Sequence, residues 1–108
     1  MENEYCIIMS TTDSQEEANR LAEMLVTQGL AACVQSIPIT STYTWKGNLN
    51  RESEWLLLIK TRAAFYEAIQ DALQKNHSYE TPEIIQVPIH RGISAYLTWI
   101  DAQTRQNE

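Results

Sequence analysis

The densest chemistry in this sequence lies in His77-Ser-Tyr-Glu-Thr-Pro-Glu83, where an imidazole, a phenol and two carboxylates share seven residues. Imidazole nitrogen and carboxylate oxygen are metal donors, and His changes charge near neutral pH. Loops held by a rigid scaffold often carry function, and Pro82 stiffens this one. A structural role fits the same residues: His77 at a helix C-terminus, Tyr79 plugging an edge, the carboxylates solvated. Lys60, Tyr79, Glu80, Glu83 and Trp45 form a wider polar and aromatic set. In a trimer such a set can line a cleft between subunits for a small molecule or an anion. A structural Lys60–Glu83 ion pair at the subunit boundary is the alternative.

Other chemistry is not signalled. The sequence has no GxGxxG or GxxxxGK[ST] phosphate loop, no CxxC or HExxH metal spacing, and no GxSxG elbow. Cys6 lies in an apolar run and Cys33 in Leu30-Ala-Ala-Cys-Val34, so both read as free, buried thiols. No nucleophile–base pair is apparent, and the chain reads as a non-enzyme.

These residues need elements to position them. Tyr5–Thr12 is a β-prone apolar run and reads as a first strand. Ser14 and Glu17 have capping-box spacing; Ala18, Leu21, Ala22 and Leu25 form a helical stripe; Gly29 closes a helix over about 14–28. Leu30–Trp45 is β-branched and aromatic, with Pro38 marking a bulge or an edge. A turn at 46–48 leads to a strand at 54–60, apolar on both faces. A second helix opens at Thr61 or Arg62, carries Phe65, Ala68, Ile69, Ala72 and Leu73, and frays near Asn76. A fourth strand at 84–89 and a last helix at 95–103, capped by Ser94, complete the order β-α-β-β-α-β-α.

The halves 5–37 and 54–90 repeat one pattern. Two such units with right-handed crossovers make an α+β, ferredoxin-like βαββαβ sandwich with an extra C-terminal helix. One domain spans 1–108, its core about 5–103, and the ends at 1–3 and 106–108 fall outside it. The helices leave one sheet face bare. The two-faced strand at 54–60 predicts that this face is also buried, with the long hairpin and the aromatic last helix as candidates for contacting other subunits.

A net charge of −6 opposes binding to nucleic acid or to an anionic membrane surface. No apolar run reaches the ~20 residues of a membrane span. The start, Met-Glu-Asn-Glu, lacks the basic region of a secretory signal, which predicts a cytoplasmic protein.

Several segments in register resemble one family. They are Leu30-Ala-Ala-Cys-Val34, Ser41-Thr-Tyr-Thr-Trp-Lys-Gly47, Glu54 through Lys60-Thr61, His77-x-Tyr-x-x-Pro-Glu-Ile84, Pro88-Ile89 with Gly92, and Tyr96-Leu-x-Trp99. Together they resemble the CutA divalent-cation-tolerance family. The resemblance implies a tight homotrimer and a link to copper and other divalent cations, without an established reaction. It also implies a copper site built from a Cys near the end of the first strand and adjacent His residues before the Tyr. His77 matches one of those His, Asn76 occupies the other position and Met9 the Cys position; Ser78 stands where the family usually has Pro. The expected ligands are therefore His77, Met9 and an oxygen of Glu80 or Glu83. A Met9 thioether would favour Cu(I) over Cu(II). Met9 as a plain packing residue is the alternative. The fold also resembles PII-type signal proteins, which implies a small-ligand-sensing trimer as a second reading. A structural trimer holding an unidentified protein partner is a third.

Overall fold

The computed structural model describes residues 4–106. Strand β1 (Tyr5–Thr12) leads into α1 (Gln15–Thr27), then β2 (Cys33–Trp45), β3 (Asn48–Arg62), α2 (Tyr66–Asn76), β4 (Ile84–Pro88) and α3 (Ser94–Gln103). The strands form one antiparallel sheet in the order β2-β3-β1-β4, as a ferredoxin-like fold requires. The ends at 1–3 and 107–108 lie outside the described residues.

Alternation along the strands sorts side chains onto two faces. Cys6, Ile8, Leu57 and Ile59 point to one face and pack with Ala18, Leu21 and Leu25 of α1 and Ile69 and Leu73 of α2. Phe65, in a 3-10 turn over Ala63–Phe65, seals the junction. On the bare face, the register sets Ile7, Met9, Leu56, Leu58, Ile37, Ile85 and Val87 side by side. Ile37, Ile85 and Val87 remain 45%, 48% and 40% exposed. Met9 is therefore half-buried on this second face and outside the helix-covered core.

Helix α3 closes one end of the bare face. Tyr5 donates to Asp101 at 2.6 Å, Arg62 Nε donates to Thr104 at 3.0 Å, and Lys60 Nζ stands 5.9 Å from the Tyr96 ring centroid. Beyond the other end, β2 and β3 continue as a two-stranded arm, because β1 pairs with β3 only from Trp55 to Arg62.

Three element expectations are corrected, and the choice left open at Pro38 is decided. β3 begins at Asn48 rather than at Glu54. The two-residue turn at Lys46 (φ +53°) and Gly47 (φ +83°) has the twist that starts pairing at once, so polar residues 49–53 are zipped in. Pro38 marks an edge strand with no bulge, since the register runs unbroken from Cys33↔Lys60 to Trp45↔Asn48. Helix α2 starts at Tyr66, not at Thr61 or Arg62: Thr61 stays in the strand and donates to the Leu30 carbonyl at 2.6 Å. Ser94 is the first residue of α3 and makes no cap bond; Ile93 precedes it in extended conformation.

Candidate functional site

The segment after α2 is tied down at three successive residues. His77 Nδ1 accepts the Tyr79 N–H at 3.0 Å, and Nε2 lies 2.7 Å from the Thr11 carbonyl. A carbonyl only accepts, so the ring is the tautomer with its proton on Nε2. Both nitrogens are occupied, and the ring also packs on Tyr79 at 4.9 Å between centroids. Ser78 donates its N–H and its hydroxyl to the two oxygens of Glu17, each at 2.8 Å. Tyr79 crosses the end of β1 and donates its hydroxyl to Glu54 Oε2 at 2.6 Å. Burial foremost, then that hydrogen bond and the Glu54 charge, hold the Tyr79 phenol far above its ordinary range, so it remains a donor.

Glu17 was expected to complete a capping box. Ser14 Oγ does accept the Glu17 N–H at 3.1 Å, which is half of that motif. The Glu17 carboxylate turns to Ser78, Thr12 and Arg20 instead. Burial raises its pKa, but hydrogen bonds from Thr12 and Ser78 outweigh burial and leave the group below its ordinary value.

Between this loop and the arm lies a cavity of about 620 Å³. Its aromatic walls are Tyr43, Trp45 and Tyr79, and its carboxylates are Glu52, Glu54, Glu80 and Glu83. Thr11, Ser41, Thr42 and Thr81 supply hydroxyls, and no Lys, Arg or His is among the lining residues. Tyr43 donates to Glu52 at 2.9 Å, and that bond raises the phenol's pKa.

Four of the sequence-derived residues therefore meet: Trp45, Tyr79, Glu80 and Glu83. Lys60 does not join them within the chain. It pairs with Ile7 and Cys33, six residues along β3 from Glu54, or about 20 Å at strand rise. Within one chain Lys60 and Glu83 form no ion pair, and Lys60 sits by Tyr96 of α3. Met9 and His77 converge only loosely, Met9 being two residues before Thr11, whose carbonyl His77 contacts. Among the described residues no three His, Cys, Asp or Glu side chains are grouped closely enough to hold a metal ion. Sequence reasoning missed Glu17 and Glu54 as organisers. For Glu54 a signal existed, an acid directly before the apolar run Trp55–Ile59.

The Cys6 thiol is not a poised nucleophile. Burial pushes Cys6 up to about 11. Cys6 and Cys33 lie on β1 and β2 with β3 between them, and both are free.

The CutA1 divalent ion tolerance protein model matches residues 6–103. This chain belongs to the CutA1 family. A relative from Archaeoglobus fulgidus, named divalent-cation tolerance protein CutA, is 40% identical over 94 residues, 87% of this chain and 92% of its own. The rice relative, protein CutA 1, chloroplastic, is 37% identical over 102 residues; the match spans 94% of this chain but 58% of that protein. The solved structure described as the periplasmic divalent cation tolerance protein CutA of Archaeoglobus fulgidus superposes with a TM-score of 0.90 at 38% identity, covering 92% of this chain and 97% of that one. The two Archaeoglobus names describe tolerance of divalent cations, and none of the three names specifies a reaction. No helix among the described residues is long and apolar enough to cross a membrane.

Proposed function

We propose that this CutA1-family chain is a non-enzymatic, metal-responsive binding protein that works as a cytoplasmic homotrimer of a single 1–108 domain. The observation that carries the reading is the match of residues 6–103 to the CutA1 divalent ion tolerance model; the carboxylate-rich cavity beside the His77 loop, with no basic residue in its lining, adds to it. Such a surface attracts cations and repels anions. Copper, as Cu(I) or Cu(II), or another divalent cation is the proposed metal, with His77 as principal ligand, Glu80 supplying oxygen and Met9 a soft partner. His77 must first free its one lone pair: the Tyr79 N–H leaves Nδ1, the ring nitrogen that carries no proton. Metal binding would thus be coupled to movement of the loop. Competition against a chelator of known strength tests this reading. His77→Ala should weaken copper binding at least tenfold; equal affinity in both proteins refutes the site.

Trimer formation is supported by the apolar strip on the bare face, which includes Ile37, Ile85 and Val87. Sedimentation should give three copies, and Ile85→Asp should dissociate them. A wild-type monomer at micromolar concentration rules the trimer out. The unpaired thiols suit a reducing compartment. The cavity also favours a second reading, a small-ligand sensor of the signal-protein type, through Trp45, Tyr79 and Glu83.

A further inference from the structure

The cavity combines an acidic lining, aromatic walls and one nearly buried carboxylate, Glu54. Glu54 is 7% exposed. Its Oε2 accepts from a neutral phenol, and among the described residues no Lys, Arg or His forms an ion pair with it. A carboxylate taken from water without a counter-charge is costly, so this one is left needing a cation. The cavity it faces is rimmed by Glu52, Glu80 and Glu83. That lining excludes phosphates and nucleotides.

A bare metal ion held by the cavity's carboxylates alone, without His77 or Met9, does not answer the geometry. The carboxylates are spread around about 620 Å³, and no three metal-donor residues converge among the described ones. Dispersed anions suit a ligand whose positive charge is itself spread or doubled. Tyr43 and Trp45 are 38% and 48% exposed on the arm and offer ring faces to a desolvated ammonium. Lys46 Nζ already stands 6.0 Å from the Trp45 centroid, at the outer limit of such a contact.

We propose that this cavity binds an organic ammonium cation, one amine charge meeting Glu54 and the remainder of the molecule lying against Trp45 and Tyr43. The inference deepens the small-ligand reading above by naming the ligand class, and it does not depend on copper binding at His77.

The test is calorimetric titration of the wild-type protein with 1,4-diaminobutane and with tetramethylammonium, using inorganic phosphate and magnesium as controls. Saturable binding of an amine probe is expected, with no binding of phosphate and none of magnesium at matched ionic strength. Trp45→Ala removes an exposed ring from the arm and should weaken amine binding about tenfold, with the fold checked by circular dichroism. Glu54→Gln keeps an acceptor for Tyr79 and should weaken it further. Silence with both amines overturns the proposal. So does affinity unchanged in both variants, or a magnesium response as strong as the amine's. If a basic side chain of a second copy fills the cavity, amines will not bind while Glu54→Gln dissociates the assembly, and that too overturns it. Copper titration of Trp45→Ala separates the readings: copper retained with amine lost supports this site alone, and copper lost at His77→Ala bears on the metal site alone.

Discussion

Glu17 should control the order of the 77–83 loop. Its two oxygens take the Ser78 N–H and hydroxyl at 2.8 Å each, together with the hydroxyl of fully buried Thr12. Glu17→Ala leaves the Thr12 hydroxyl without its acceptor, a loss of about 1–3 kcal/mol. Ser78 is exposed, so water replaces its bonds in part, and the loop anchor contributes about 1 kcal/mol more. The expected destabilisation is about 2–4 kcal/mol. It is read from guanidinium unfolding at fixed protein concentration, since assembly couples to stability. Hydrogen exchange at Ser78 and Tyr79 should accelerate in the same variant. The carboxyl is held below its ordinary value of 4.5 in the folded chain. Its contribution is therefore complete above that value and is lost as pH falls through the lower, folded one. Glu17→Gln should flatten the acid limb of the stability curve. A loss below about 0.5 kcal/mol with unchanged exchange at Ser78 and Tyr79 would refute the anchoring role.

Further predictions concern the neighbouring contacts. Tyr79→Phe strips the hydrogen bond from nearly buried Glu54 and should cost about 1.5–3 kcal/mol in urea unfolding; a neutral result would mean that water or a cation already satisfies that carboxylate. Nitrogen NMR of the neutral His77 ring should show the Nε2–H tautomer, and an Nδ1–H signal would contradict the pairing with Thr11. Gly29→Ala places a Cβ 2.7 Å from Arg105 Cγ at a φ of +74°, so thermal unfolding should report a loss of about 1–2 kcal/mol, tempered by the mobility of the Arg105 side chain.

Local chemistry was enough to place most elements. Ser14, Gly29 and the 18-21-25 stripe bound α1 because capping and helical periodicity act within a few residues. The doubled strand–helix pattern implied the sheet order through handed crossovers. The motif residues from Leu30 to Trp99 were sufficient to identify the family. Pairing was less legible. The extension of β3 to Asn48 depends on a turn whose twist keeps polar residues in register, which no hydrophobic pattern reveals.

What the sequence determined by itself was therefore the fold, the family and the crowding of polar groups into the His77–Glu83 segment. Only the tertiary structure decided who meets whom there. It sent Glu17 to Ser78 across 61 positions, spent both His77 nitrogens on backbone groups, set Tyr79 against Glu54, and put Lys60 at the far end of β3. The physical reason is that hydrogen-bond partners and charge neighbours are chosen by distance in the folded chain. That distance is fixed by strand register and by the crossing of a loop over a sheet end, and neither is written in local residue spacing.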